Sequence, residues 1–248
     1  MEYRIVTGRE RNDIEELQRP VIRAAWPEFM NHDGYIDRFW PTIYKRFPEY
    51  QFALLEKETD RVLAVGNSFP LAWDADINTL PDGGLDWALE HCFHHLDSGG
   101  EYKILCAFQI VVAADLLGQG LSRAAVEEMI IIGRVNGLKK LIAPVRPNRK
   151  SKYPRIPMKE YIGWKNEQGL PFDGWMRVHT RLGAATVRVC PESMLIEGTP
   201  DEWELWTGMK FPESGEYIIP GAIVPVSIDR EADKGTYSEP NVWMAHTL

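Results

Sequence analysis

The sequence is poor in cysteine and has no apolar run long enough to cross a membrane. Its three cysteines, Cys92, Cys106 and Cys190, are odd in number and widely spaced, so they do not suggest a disulfide framework. No uncharged apolar run reaches the roughly 18 residues of a membrane span. The segment Met1 to Asp13 lacks the apolar region of a secretory signal, and no Asn-x-Ser/Thr glycosylation site occurs. These absences predict a cytoplasmic protein with no membrane partner.

Several motifs with well-defined chemistry are also missing. No Gly-Lys-Ser/Thr tripeptide ends a Walker loop, and a dinucleotide fingerprint would need a glycine where Arg123 stands. A Gly-x-Ser-x-Gly elbow is absent, which argues against a serine hydrolase. Three histidines (His91, His94 and His95) share a predicted helix, but no third-ligand motif accompanies them. We therefore expect a solvated helix face there, and no metal site.

Charge is unevenly distributed along the chain. The formal net charge of −8 makes nucleic acid an unsuitable partner. Between Lys139 and Arg188, however, twelve Lys or Arg stand against three acids. That segment is therefore a basic region on an acidic protein.

Hydrophobic periodicity predicts a single α/β domain over residues 1–248. Predicted strands are Tyr3–Thr7, Gln51–Glu56, Arg61–Phe69, Tyr102–Ala114, Leu138–Val145, Thr186–Cys190, Met194–Glu197 and Tyr217–Val226. Predicted helices are Asn12–Met30, Tyr35–Phe47, Leu85–Leu96 (ended by Ser98-Gly99-Gly100), Leu121–Val135, Tyr161–Lys165, Gly174–Leu182 and Asp201–Trp206. Residues 229–248 show no clear periodicity, and we predict an irregular tail.

The most informative segment lies between the strand ending near Ala114 and the helix beginning at Leu121. Gly118 and Gly120 let backbone N–H groups turn towards a ligand with no side chain in the way. The helix N-terminus adds free donors and a partial positive charge, which suits a phosphate. The alternative is a tight turn that merely caps a core helix.

This arrangement resembles the GNAT superfamily of acyltransferases, whose central motif is Arg/Gln-x-x-Gly-x-Gly/Ala between a long strand and a helix. Gly118 and Gly120 match the two glycines, and the Asn136-Gly137 stop, the next strand and Asn148 follow in the family's order. The resemblance covers most of Tyr3–Ile228, although only Cys106–Asn148 is specific. It implies a mixed, splayed sheet of six or seven strands flanked by helices, with an insertion at about 149–173.

The resemblance also implies how an acyl-CoA would bind, with no metal involved. The pyrophosphate would meet the N–H groups at the start of the helix, and the pantetheine arm would pair with the strand like an extra strand. The implied residues are Ile110, Val111, Val112, Gly118, Gln119, Gly120, Leu121, Ser122, Arg123 and Asn148. The family's Arg or Gln is Asp115 here. An acid beside a pyrophosphate is unfavourable, so Asp115 either points away or weakens the grip on the phosphate.

A second resemblance points to a catalytic acid. GNAT enzymes often carry Tyr-x-Lys-x-Gly-Phe, and His179-Thr-Arg-Leu-Gly183-Ala184 stands at the corresponding place. Histidine can exchange for tyrosine there because imidazole titrates near neutrality. A satisfied core or surface histidine is the alternative. Tyr153 and Tyr161 are the other candidate acids.

The basic run formed by Arg146, Arg149, Lys150, Lys152 and Arg155 has three interpretations. It could hold the 3′-phosphate of CoA, dock an acyl carrier protein, or be a solvated surface.

The resemblance implies acyl transfer from CoA, or from a pantetheinylated carrier protein, to an amine of a small molecule. Two alternatives remain open at this point. One is a GNAT-like decarboxylase acting on malonyl thioesters, and the other is a non-catalytic acyl-CoA-binding module.

Overall fold

The structure is a computed structural model that describes residues 2–96, 98 and 100–248. Its strands are β1 (Tyr3–Thr7), β2 (Gln51–Glu56), β3 (Val62–Leu71), β4 (Ile104–Val112), β5 (Lys140–Val145), β6 (Ala185–Gly198), β7 (Gly215–Tyr217), β8 (Val226–Asp229) and β9 (Lys234–Thr247). Its α-helices are α1 (Ile14–Ala25), α2 (Gly34–Arg46), α3 (Gly84–His94), α4 (Leu121–Val135), α5 (Met158–Tyr161), α6 (Gly174–Arg181) and α7 (Pro200–Thr207). Short 3-10 helices include Glu28–His32 and Lys150–Lys152.

One mixed sheet forms the centre of the fold. Its order is β1-β2-β3-β4-β5-β9-β8-β7, with β6 also paired to β9. Residues of β3 are buried along the whole strand, because alternate side chains face two layers. Val65 packs in a cluster with α1, whereas Ala64 packs in the larger core with α4. The two helices therefore cover opposite faces of the sheet.

The sheet opens between β4 and β5. These parallel strands pair only from Ile104–Cys106 to Lys140–Ile142. Further along, β4 stays with β3, and a bulge at Phe108 shifts its register, while β5 stays with β9. A bulge bends its strand, so the two strands part beyond Cys106. This gap is the splay expected from the family resemblance.

The prediction of an irregular C-terminal tail is wrong. Residues 234–247 form β9, which pairs with β5, β6 and β8 inside the sheet. Its periodicity is hard to see because polar residues occupy core positions: Glu239, Asn241 and His246 are all buried. Gly235 and Pro240 further weaken the strand signal.

The sheet has nine strands in the described chain, where six or seven were expected. The tail contributes one strand. The predicted strand Tyr217–Val226 is replaced by two strands, because β7 ends at Tyr217 and β8 begins at Val226. Thr186–Cys190 and Met194–Glu197 join as β6, with a register shift between Cys190 and Met194.

The insertion at residues 149–173 is a compact unit. Tyr153, Tyr161, Trp164 and Phe172 pack their rings together. Asp173 caps α6 and also accepts hydrogen bonds from the backbone of Arg149 and the hydroxyl of Tyr161. One carboxylate thus closes both ends of the insertion. The helix predicted at Tyr161–Lys165 is wrong, because the helical turn lies earlier, in α5.

The helix predicted at Asn12–Met30 is too long, because α1 ends at Ala25 and Glu28–His32 form a separate 3-10 helix. Helix α4 spans the predicted residues Leu121–Val135. The stop predicted after α3 includes Gly99, which lies outside the described residues. No helix within residues 2–96, 98 and 100–248 has the length and apolarity needed to span a membrane.

Candidate active site

The glycine loop before α4 has the geometry that an anion requires. Gly118 and Gly120 have φ of +80° and +84°, a left-handed conformation that favours glycine. No heavy atom lies within 4 Å of the position that a Cβ would take at either glycine. Gly120 is the N-cap of α4 and no side chain caps the helix. The N–H groups of the first turn, from Leu121 to Arg123, are therefore open to a ligand.

Asp115 stands where the family motif has Arg or Gln, and it forms an ion pair with Arg61. Nη2 of Arg61 lies 2.7 and 2.6 Å from its two carboxylate oxygens. The hydrogen bond from Arg61 lowers the pKa of Asp115, and its charge is matched. The acid therefore need not repel a phosphate at the glycine loop.

One edge of β4 faces the gap between the strands. Ile110, Val111 and Val112 pair with β3 on one side. On the other side the register with β5 ends at Cys106, so within the described residues no strand pairs with this segment. Its outward backbone groups can pair with an extended ligand arm. Asn148 lies exposed beyond β5, where its backbone N–H donates to Asp173.

A cavity of about 700 Å³ lies on the α1 side of the sheet. It reaches the sheet where the strands part, at Phe108 and Gln109 of β4, at Pro144 of β5, and at Arg146, which follows β5. The rest of its wall is Glu15, Arg19, Ile22, Arg23, Trp26, Glu28, Met30, Asn31, Ile36, Asp37, Trp40, Pro41, Leu85, Met194 and Asn241. The wall carries three carboxylates and three guanidinium groups. Such a volume fits a small-molecule site.

A network of buried amides holds the cavity wall at Gln109. Its Oε1 accepts a hydrogen bond of 2.9 Å from the indole of Trp26, and its Nε2 donates to Asn67. Asn67 in turn donates to Gln18 and Gln51. A neutral amide whose oxygen and nitrogen are both hydrogen-bonded cannot act as a base. The role of Gln109 is therefore to hold this part of the cavity wall in place. Our sequence analysis missed this network, although an Asn and a Gln inside apolar strands are a visible signal.

Arg146 reaches the cavity from the end of β5 and is held by a buried carboxylate. Its Nε donates to both oxygens of Glu239, at 2.9 and 3.0 Å. Glu239 is fully buried and also accepts from the hydroxyl of Tyr237. The charge of Arg146 is thus matched within the protein.

The structure places His179 in the interior, away from the cavity. The buried face of α6 consists of Met176 and His179, three residues apart. Nδ1 of His179 lies 3.0 Å from Nε2 of His246 on β9, and burial lowers the pKa of His179 to about 3. The catalytic role of His179 stays a prediction, and this geometry does not favour it.

The two candidate tyrosines also lie outside the cavity wall. Tyr153 belongs to the aromatic cluster of the insertion, and Tyr161 donates its hydroxyl to Asp173. A catalytic role for Tyr153 is therefore likewise a prediction without support from the geometry.

Lys150 is not on the surface, so it fits none of the three interpretations of the basic run. Its side chain is fully buried, and Nζ donates to the carbonyls of Tyr153 and Ile223 at 2.8 Å each. Arg149, Lys152 and Arg155 remain exposed.

Two of the three clustered histidines contact backbone carbonyls, and the strand cysteine is buried. His91 contacts the carbonyl of Ala72, and His95 contacts that of His91. Across the part of the chain that the structure describes, no group of three potential ligands could hold a metal ion. Burial raises the pKa of the Cys106 thiol well above its usual range, as its apolar neighbours predict.

Comparison with known proteins agrees with this architecture. The chain is 30% identical over 276 residues to the arginine N-acetyltransferase avaD of Aspergillus versicolor, covering 99% of this chain and 94% of that protein. The loading GNATL domain of CurA from Lyngbya majuscula superposes with a TM-score of 0.61 at 18% identity, covering 100% and 98% of the two chains. The GNAT-like decarboxylase GphF, solved in complex with isobutyryl-CoA, superposes with a TM-score of 0.55 at 13% identity, and the match covers 98% of each chain. No family model matches the chain.

The splayed sheet, the glycine loop and the avaD relationship together define the class of protein. The chain belongs to the GNAT superfamily. It is a GNAT-type N-acyltransferase, an enzyme that transfers an acyl group to an amine.

Proposed function

We propose that the chain transfers an acyl group from acyl-CoA to an amine of arginine or of a similar cationic amino acid. The observation that carries the proposal is the gap between β4 and β5, which lies between the open glycine loop and the cavity. The avaD relationship supports arginine as the first acceptor to test.

The donor half of this proposal depends on backbone groups. The N–H groups of Gln119 to Arg123 would hold the pyrophosphate, since Gly118 and Gly120 leave the approach open. The free edge of Ile110–Val112 would hold the pantetheine arm by strand pairing. The thioester would then lie in the gap, beside Phe108 and Pro144.

The acceptor half depends on the cavity. An amino acid carries charges of both signs, and so does the cavity wall. Its acidic residues are Glu15, Glu28 and Asp37, and its basic residues are Arg19, Arg23 and Arg146. An acceptor entering from the α1 side would bring its amine to the thioester carbonyl at the gap. Amine and donor would then meet from opposite faces of the sheet.

The chemistry needs little more than positioning. The amine nitrogen attacks the thioester carbonyl, so that a C–N bond forms and the C–S bond breaks. The amine loses a proton, which a wall carboxylate such as Asp37 can accept, directly or through water. The CoA thiolate leaves and takes up a proton. Holding both reactants in one ternary complex supplies much of the rate enhancement.

The test is a thiol-release assay with acetyl-CoA and a panel of acceptors. We expect turnover with arginine and none with citrulline, its uncharged analogue. Release of thiol without acceptor-dependent product would reject the proposal. Malonyl-CoA supplied without any amine tests the decarboxylase alternative, which would leave acetyl-CoA and CO₂. Acetyl-pantetheine on a carrier protein, tested beside acetyl-CoA, distinguishes the two donors.

A further inference from the structure

One wall residue of the cavity has an amide oxygen with no hydrogen-bond partner. Asn241 lines the cavity, is 2% exposed, and donates from Nδ2 to the hydroxyl of Ser193 at 2.9 Å. Its Oδ1 is buried, and no described group donates to it. An unmatched buried acceptor is destabilising, and a donor group of a ligand would relieve that cost.

Two buried carboxylates close to this residue are also unmatched, although neither is itself part of the cavity wall. The hydroxyl of Ser193, which accepts from Asn241, also accepts from the backbone N–H of Leu85, next to Asp86. Asp86 follows the wall residue Leu85; its Oδ2 accepts from the backbone of Leu195 at 2.9 Å, while its Oδ1 has no partner. Asp33 lies between the wall residues Asn31 and Ile36. Its Oδ1 caps α2 by accepting from Tyr35 and Ile36, and its Oδ2 has no partner.

No cation in the described chain pairs with either carboxylate. Asp33 is fully buried and Asp86 is 7% exposed. Burial raises the pKa of Asp33 to about 6, and burial together with repulsion by Asp33 raises the pKa of Asp86 to about 8. The other charges that act on Asp33 are Asp37, on α2, and Glu239, on β9, which is matched by Arg146. The free protein therefore keeps a proton here near neutral pH.

We propose that Asp33, Asp86 and Asn241 form the subsite that binds the guanidinium group of the acceptor. Three unmatched oxygens of one cluster suit a planar cation with five N–H donors, which binds carboxylates in a bidentate manner. The position also suits the reaction, since the same cavity reaches the β4–β5 gap at Phe108 and Pro144. This inference rests on the proposed function, because it assigns the binding site of that acceptor's side chain.

Bound guanidinium would displace the proton that the two carboxylates hold. Arginine binding should therefore release about one proton near pH 7 and strengthen as pH rises from 6 to 8, because the cation favours the ionised form of both carboxylates while the free protein still holds a proton on the pair. Citrulline has the same shape but no charge, so its binding should release no proton.

The experiment is calorimetry of the full chain with CoA present, titrated with arginine or citrulline in buffers of different ionisation enthalpy. We expect arginine to bind at least about tenfold more tightly than citrulline, with proton release. Asp86→Asn keeps an oxygen that can accept from the backbone N–H of Leu195. Asp33→Asn keeps a residue that caps the N-terminus of α2 well. Each variant should bind arginine at least about tenfold more weakly, bind citrulline as before, and release less than half of the wild-type proton count. Glu90→Gln, an exposed change of the same charge on α3, should behave like wild type.

Two results separate this inference from the proposed function. If arginine is acylated but binds like citrulline, or if Asp33→Asn and Asp86→Asn leave its affinity unchanged, the subsite is wrong and the two carboxyls only share a proton. If arginine binds with proton release but is not acylated, the subsite stands and the proposed function fails. The unfolding transition of Asp86→Asn verifies that this variant is folded. If it is not, Asp33→Asn and the comparison of arginine with citrulline on the wild-type protein still decide the outcome.

Discussion

The ammonium group of Lys150 lies 2.8 Å from the carbonyl oxygen of Ile223, which comes 73 residues later in the chain. The same group donates to the carbonyl of Tyr153, so one lysine joins the insertion to the loop before β8. Lys150→Met keeps the apolar stem and removes the donors. We expect the free energy of unfolding to fall by about 2–4 kcal/mol, because buried carbonyls lose their partners.

Urea unfolding of Lys150→Met and Lys152→Met measures this difference. Lys152, two residues later, is exposed, and its substitution should change stability by less than about 0.5 kcal/mol. Equal effects of the two substitutions would show that Lys150 does not join the two segments.

Two glycines at opposite ends of α4 separate backbone strain from ligand binding. Gly120 and Gly137 have φ of +84° and +76°. Alanine at either position should cost about 1–2 kcal/mol of stability, because both are left-handed. Gly120→Glu should in addition abolish CoA binding, since it places a side chain and a negative charge at the start of the helix.

Calorimetry with CoA is the measurement, and Gly137→Glu is the matched control at the other end of the helix. Unchanged CoA affinity in folded Gly120→Glu would show that the pyrophosphate lies elsewhere.

The exposed cations of the basic run offer a test of the 3′-phosphate. Arg149 and Lys152 remain exposed, whereas Lys150 is buried. Changing both exposed residues to Glu reverses their charge. We expect this double variant to bind CoA more weakly and to prefer CoA over dephospho-CoA less than the wild-type protein does. The wild-type preference should fade with salt, because exposed charges are screened over about 8 Å at physiological ionic strength.

The same reversal distinguishes the two kinds of partner. Loss of binding to a pantetheinylated carrier protein, with CoA and dephospho-CoA still told apart, would indicate a docking surface. Unchanged affinity for CoA, for dephospho-CoA and for the carrier protein would indicate an ordinary solvated surface.

The buried His179–His246 pair predicts sensitivity to acid. The pKa of His179 is about 3 in the folded protein and about 6.5 in the unfolded chain, so only the unfolded chain takes up a proton between these values. Stability should therefore fall as pH decreases from 6.5 towards 3. The variant His179→Leu should lose much of this dependence.

Activity at pH 7 tests the catalytic predictions for His179 and Tyr153. Since neither lines the cavity, we expect kcat of His179→Leu and Tyr153→Phe to stay within about threefold of wild type, less than the 10²-fold or more that loss of an acid–base group costs. A hundredfold loss in either folded variant would restore that residue as a catalytic acid.

The local features of the donor site could be predicted from the sequence. A strand, two glycines and an amphipathic helix are contiguous in the chain, and only glycine adopts their left-handed turns without strain. Helix α4 followed from the same kind of local pattern. The family resemblance supplied the splay between β4 and β5, which no local pattern contains.

Tertiary structure decided the rest, because those features depend on residues far apart in the chain. The catalytic prediction for His179 came from its place in a motif, whereas the packing of α6 on β9 decides which way its ring points. Strand β9 was missed because its buried polar residues are matched by distant partners, as Glu239 is by Arg146. The unmatched oxygens of Asp33, Asp86 and Asn241 belong to residues far apart in the chain, and only the fold brings them close to the same cavity wall. A sequence determines which groups need partners, and the folded chain decides which of them are left for a ligand.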